Sequence, residues 1–446
     1  MANLQSSSYA SWKEYEKVLF RFLFIYFILQ AVPLDWKYYQ QVFSINWLNL
    51  GFDDIFNLSK YSPQFFPENQ TFANWGIIAV LALIGTVIWS FFDKEKKEYN
   101  NLYYWLRVIL RYRLAIGVIG YGMIKLFPLQ SPYPSLSSLN TNYGDISAWK
   151  IFSLSLGIVP NYQSFLGGVE VLTGLLLFNR KTASIGAFLI IVFTGNVFIS
   201  NLAYEGGEYV YSFYLIVIAL FIFQYDAVRL YNLIGLERPT EPNRFKPQFS
   251  SKNNSIRIVV KMVFLFFFVF LYGYKTYSSY KKGNYHYPTA IGIAGISGLY
   301  NVSEFELNGV KHPYSTTDPI RWKDVVFEKW NTISIRSKRP VKIESSITEE
   351  IIMEDTDRNY ELSGSGGRHY YRYEVDSTVK KLTLYNKNKR YAGEVLSLYY
   401  TRLNDSTLVL QGLNETHDSI KVVLQKINKK YLLKEAEIGR RGKLVL

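Results

Sequence analysis

Residues Lys261–Val310 read KMVFLFFFVFLYGYKTYSSYKKGNYHYPTAIGIAGISGLYNVSEFELNGV, and two physical regimes meet inside them. From Met262 to Tyr272 every side chain is apolar or aromatic, the pattern of a segment with no wet face. From Leu299 to Leu307 apolar and polar residues intermix with the short period of a half-buried strand. That strand ends on Asn308-Gly309, the dipeptide that accepts positive φ at both corners of a tight hairpin. The change falls near Tyr277. It divides the 446 residues into a helical membrane part over 1–276, a linker over 277–298 and a β-rich part over 299–446.

Upstream of the switch, seven stretches approach the roughly 20 apolar residues that a span requires. They are Lys17 to Pro33, Ala73 to Phe92, Trp105 to Pro128, Phe165 to Phe178, Thr182 to Asn201, Tyr209 to Gln224 and Ile258 to Tyr274. Lysine and arginine at the span ends fix the expected orientation. One side collects Lys13, Lys17, Arg21, Lys94, Lys96, Lys97, Arg107, Arg111, Arg113, Arg180 and Lys181. It continues with Arg229, Arg238, Arg244, Lys246, Lys252, Arg257 and Lys261, whereas the first three loops of the other side hold only Lys37, Lys60 and Lys150. The N-terminus is therefore expected inside a cell (inner) membrane and the tail outside it. The first span lacks a small-x-small cleavage site and reads as a signal-anchor. The loop over 34–72 is amphipathic enough to lie on the outer interface.

Downstream, the expected strands are Leu299 to Leu307, Trp322 to Phe327, Thr332 to Ile335, Ile347 to Met353, His369 to Val375 and Lys381 to Tyr385. Val395 to Thr401, Thr407 to Leu410 and Ile420 to Ile427 follow. Asn404-Asp405, Gly412 and the run Ser363-Gly364-Ser365-Gly366-Gly367 read as the turns between them. Consecutive short strands of this kind suggest a closed meander barrel or a sandwich. The stretch beyond Lys429 (KKYLLKEAEIGRRGKLVL) reads as a loosely held end.

Composition removes several chemistries. The chain has no cysteine, so disulfides, thiolate metal sites, iron–sulfur clusters and thiol nucleophiles are excluded. All four histidines (His286, His312, His369 and His417) lie in the tail, so no haem is held by two histidines among the spans. Their spacing fits no zinc motif, and the carboxylates Glu349, Glu350, Glu354, Asp355 and Asp357 read as a solvated turn. No G-x-S-x-G elbow is present. The formal charge of +14 divides equally about Tyr277, and its first half is mostly the positive-inside bias; nucleic acid is not an expected partner.

Charged residues inside spans cost roughly 2.5–3.5 kcal/mol unless sheltered, which makes Lys125 and Glu170 informative. On the expected topology both lie in the outer half of the membrane. Glu170 shares a helix face with Gly167 and Gly174, a small-residue face suited to packing on another helix. Asn196 and Asn201 close the fifth stretch and Tyr211 and Ser212 open the sixth, while Pro128, Gln130, Pro132 and Pro134 stiffen the loop after Lys125. The functional expectation is a polar ligand pocket in the outer half. The plainer alternative is an ion pair that ties helices together.

The stretch Arg111 to Asn232 resembles the DoxX-like membrane proteins of bacteria. The matching pieces are Tyr121-Gly-Met-Ile-Lys125-Leu-Phe-Pro-Leu-Gln130, Gly168-x-Glu170-x-Leu172-x-Gly174-Leu-Leu-Leu177 and Arg180-Lys181-Thr182 with Gly186. Asn196-Val197 with Asn201 and Tyr204, and Asp226-x-x-Arg229-Leu230, complete them. The chain departs from the family at Tyr204–Tyr209 (YEGGEY). The whole layout, with Asn308-Gly309 and Arg321-Trp322 in the tail, is similar to larger uncharacterised members with an extracytoplasmic β domain. The resemblance implies a four-helix core over about 105–232; the candidate ligand set, from the polar positions above together with Tyr204, is Lys125, Gln130, Glu170, Asn196, Asn201, Tyr204, Tyr211 and Ser212.

Two functions follow as expectations. The first is a non-enzymatic membrane module that binds a lipid or a protein partner in the membrane or periplasm, its barrel acting as the docking surface. The second is a membrane subunit of a quinone-linked oxidoreductase. No cofactor is required outright, quinone being the one candidate, and electron carriers would have to come from another subunit. A carboxylase-like or transferase membrane enzyme is a more distant third. A meander barrel can also hold an apolar ligand in its mouth.

Overall fold

A computed structural model describes residues 12–66, 71–241, 245, 247, 249–283, 285–344 and 354–433. The chain divides into two units. The first comprises Met1–Phe127 with Ser164–Ser279, the second Pro128–Gln163 with Tyr280–Leu446.

In the first unit, five helical segments are long and apolar enough to cross a membrane: Glu14–Ser44, Ala73–Phe92, Ala183–Ala203, Tyr209–Gly235 and Ser251–Lys282. Their outward faces are apolar, as in Val80, Leu83, Ile84, Val87 and Ile88 of the second. The last passes through a π-helical turn at Phe266–Leu271 and continues to Lys282, past the expected end at Tyr274. The remaining two sequence candidates are helices too, at Asn100–Leu126 and Pro160–Leu177. Arg107, Arg111, Arg113 and Lys125 in the one, and a polar first turn in the other, set them apart from the five.

Those two helices pack through glycine. A Cβ placed on Gly167 would lie 2.1 Å from the Leu126 nitrogen, and one on Gly174 would lie 2.5 Å from Ile119 Cγ1. Backbone contact of this closeness is what the small-residue face at Gly167, Glu170 and Gly174 provides. The 34–72 loop departs from its expected interfacial position in one half. Trp36–Ser44 has no buried residue, but Phe52–Ser59 buries Phe52, Ile55, Phe56 and Leu58, and Gly120 admits the Ser59 hydroxyl.

The second unit is built on a closed antiparallel barrel. Its strands are β1 (Gly298–Leu307), β2 (Val310–Lys311), β3 (Asp324–Phe327), β4 (Thr332–Arg336), β5 (His369–Asp376), β6 (Lys381–Asn386), β7 (Val395–Arg402), β8 (Thr407–Leu413) and β9 (Ser419–Ile427). β2 only extends the hairpin from β1. The other eight pair in sequence order, and β9 returns to β1 from Leu299↔Ile427 to Leu307↔Ile420. Of the two architectures expected from the sequence, this is the meander barrel. Asn308 and Gly309 have φ of 50° and 76°, as their turn requires. The expected strand Ile347 to Met353 lies outside the described residues, as do Glu349, Glu350 and the chain beyond Leu433.

Gly412 is not a turn. It lies in β8 opposite Leu398 and Ile420, where a Cβ would fall 2.0 Å from the Ser397 carbonyl oxygen. Glycine serves close strand approach here. The barrel interior is apolar, with Val302, Phe327, Ile333, Leu384, Leu398, Leu410, Val422 and Leu424 fully buried. β3 and β4 are buried on both faces, because Ser135–Thr141 covers their outer side.

The linker also has a definite place. Gly292 N donates to Lys329 O, Ile293 N donates to Tyr373 Oη, and Ile293 and Ile296 pack onto the core. This segment closes the barrel end at Gly298 and Phe327. The described start of the expected loose end is likewise fixed, since Asn140 bonds both Lys429 and Tyr431.

Candidate functional site

Of the eight candidate ligand residues, Lys125 and Glu170 meet. Lys125 Nζ donates to Glu170 Oε1 at 2.6 Å, both side chains are buried, and Glu170 Oε2 has no partner. The others are engaged elsewhere. Tyr211 lies within 3.5 Å of Arg113, whose guanidinium also donates to the Ser59 and Tyr61 carbonyls. Asn201 and Ser212 bond carbonyls of their own helix or its cap, at Val197 and Glu208. Asn196 and Tyr204 are exposed, and Gln130 belongs to the second unit.

The second unit contains what sequence reasoning did not find. At the barrel end opposite the linker plug, a cavity of about 370 Å³ opens between the strand ends. Its walls include Phe305, Ile320, Trp322, Ile335, Leu396 and Ile420, and its polar groups include Arg339, His369, Tyr371, Glu394, Glu415 and Asp418. Strand alternation turns His369 and Tyr371 inward beside Ile335. Arg339 grips Glu394 through both terminal nitrogens, at 3.0 and 2.5 Å. Tyr371 donates to the same carboxylate, and Asn386 adds a bond at 3.2 Å. Burial works to raise the Glu394 carboxyl, but the bonds from Arg339 and Tyr371 hold it below its ordinary value. Burial, reinforced by the Arg339 charge, pushes His369 down to about 4, so its ring is neutral at neutral pH. His369 Nε2 is buried without a hydrogen-bond partner. The alternation of β5 was legible, but nothing local marked His369 as the residue at a mouth.

Behind β3 and β4 lies a second buried polar group. Glu328 accepts from Ser137 N and Ser137 Oγ at 2.7 and 2.6 Å, and from Leu136 N at 3.2 Å. Burial raises its carboxyl to about 7 against those bonds. Lys150 is fully buried, lies 3.6 Å from the centre of the Tyr360 ring, and donates to Tyr360 O; burial lowers it to about 7. Lys387 pairs with buried Glu361, which also accepts from Thr332 at 3.1 Å. His286 bonds Leu129 O and is lowered by burial to about 4. The Glu328 bonds fasten the 128–163 segment beside β3, and Lys150 and Leu129 tie it to Tyr360 and His286. The available sequence signal was its length, long for a plain connection. Asp355 caps Thr289 and Ala290, in keeping with a turn. Among the described residues no cluster suits a metal ion.

The two low histidines give a pH dependence with a definite sign. Below pH 6.5 the unfolded chain protonates His286 and His369, while the fold resists until about 4. Glu328 acts oppositely, since it is protonated in the fold and ionised in the unfolded chain between 4.5 and about 7. Two protons outweigh one. Stability of the second unit is expected to fall by about 1.4 kcal/mol per unit between pH 6.5 and 4.5. Hydrogen exchange of the strand amides against pH measures this, and a flat or rising profile would contradict the assignment.

No family model, curated protein or solved structure matches this chain.

Proposed function

We propose that the chain is a non-enzymatic integral membrane module, DoxX-like in its helical core, whose extracytoplasmic barrel binds a lipid-like ligand. In this reading all seven helices cross the inner membrane, with the N-terminus cytoplasmic. The observation that carries it is the barrel itself, plugged at one end and open at the other onto an apolar-walled cavity. Cavities of this size with a few convergent polar groups are the usual form of a small-molecule site. The unpartnered oxygen of Glu170 favours the second reading, a quinone-linked membrane subunit with its headgroup at the Lys125–Glu170 pair.

Native mass spectrometry of the full chain, extracted in mild detergent, separates the two. Leu396→Trp fills the barrel mouth and Glu170→Gln alters the pair. A co-purifying lipid lost from Leu396→Trp and kept by Glu170→Gln is the expected result. Loss of a quinone from Glu170→Gln alone would replace it with the second reading, and a bare parent protein would contradict both.

A further inference from the structure

Taking the barrel mouth as a ligand site, as proposed above, we infer that its ligand is an uncharged, single-chain amphiphile that places a hydroxyl on His369 Nε2. Four observations converge on this class.

The first is size. A water-sized group occupies about 30 Å³, so 370 Å³ admits about a dozen heavy atoms. One medium-length chain fits that volume, and a two-chain phospholipid does not.

The second is the wall. Phe305, Ile320, Trp322, Ile335, Leu396 and Ile420 offer no hydrogen bond to a chain lying along them, apart from the indole N–H.

The third is charge. Arg339 is the one cation among the lining residues, and its two terminal nitrogens are already held by Glu394. Glu415 and Asp418 stand on the same rim, and Asp418 is satisfied by Asn308, Asn414 and Thr416. Carboxylates thus outnumber cations three to one at the mouth. Among the described lining residues, a carboxylate or phosphate headgroup would enter against this field and meet one cation, already paired with Glu394.

The fourth is His369, 4% exposed, whose Nε2 is unpartnered. In the neutral ring that atom carries either a lone pair or the ring proton. A hydroxyl both donates and accepts, so an alcohol meets that atom in either tautomer. A ligand hydroxyl there would also satisfy a polar atom that burial otherwise leaves bare.

The test uses the full chain in lipid nanodiscs and a matched pair of photoreactive probes, a diazirine-bearing decanol and the corresponding decanoic acid. Labelled sites are mapped by peptide mass spectrometry. Decanol is expected to label the peptides around Phe305, Trp322 and Ile420 at least tenfold more than decanoate. His369→Leu should lower decanol labelling about tenfold, and His369→Gln, whose amide both donates and accepts, should retain most of it. Equal labelling by decanoate overturns the inference while leaving the binding site in place, as does full labelling of a folded His369→Leu. If His369→Leu does not fold, as judged by hydrogen exchange of β5, the comparison of the two probes on the parent decides alone. Absence of mouth labelling by either probe would remove the binding site itself.

Discussion

Arg368→Leu is expected to destabilise the second unit by about 3–5 kcal/mol, the range for removing one partner of a buried ion pair. The Arg368 side chain is wholly buried. It donates to Asp324, to Ser334 Oγ at 2.9 Å and to Asn140 O at 3.1 Å, so one guanidinium joins β3, β4 and the 128–163 segment. Leucine fills much of the space and satisfies none of those acceptors. Asp324 would keep only Arg336, whose side chain is one-third exposed and hydrated in part. The penalty is therefore mainly the bare acceptors left behind, not the lost attraction. Arg368→Leu combined with Asp324→Asn is expected to recover part of the loss, because the uncompensated charge goes with it. Urea unfolding followed by strand hydrogen exchange measures both. A single variant within 1 kcal/mol of the parent would show that the guanidinium is not needed where it sits.

The second large effect belongs to the membrane unit. Lys125→Met is expected to lower the stability of the helical unit by about 3–5 kcal/mol, because Glu170 then loses the partner of Oε1 and both its oxygens are left bare. The site cannot relax outward. Gly122 has Glu170 Cβ and the Val171 nitrogen about 3.0 Å from where its own Cβ would be, and Gly167 touches the opposing backbone. Lys125→Met with Glu170→Leu removes both charges and is expected to restore most of the stability. Thermal loss of helical circular dichroism in mild detergent reports the cycle. If the double variant is as unstable as the single, the pair is not the balanced unit described.

How far the sequence reached depended on the range of the interaction. Ala73–Phe92 begins and ends where hydropathy places it, because a span is a property of a contiguous stretch. Asn308-Gly309 turns as expected since its backbone preference is local. Gly412 was misread for the same reason. A glycine that admits a neighbouring strand looks like a turn glycine until β7 and β8 are paired. The two-sided burial of β3 and β4 depends on Ser137 meeting Glu328 across 191 residues, and the Lys150–Tyr360 contact spans 210. No periodicity encodes such contacts. In the candidate set, Lys125 and Glu170 were legible because charge in an apolar stretch is costly on any fold. His369 was not, because its significance arises from an empty end of a barrel.

The absence of cysteine permits a direct test of the barrel's placement. Tyr314→Cys lies in an exposed loop of the second unit, and Glu95→Cys lies in the exposed segment after Phe92. With a membrane-impermeant maleimide applied to spheroplasts, Tyr314→Cys is expected to label fully and Glu95→Cys only after lysis. Labelling of Glu95→Cys in intact spheroplasts with Tyr314→Cys protected would put the barrel inside the cell and contradict an extracytoplasmic binding module.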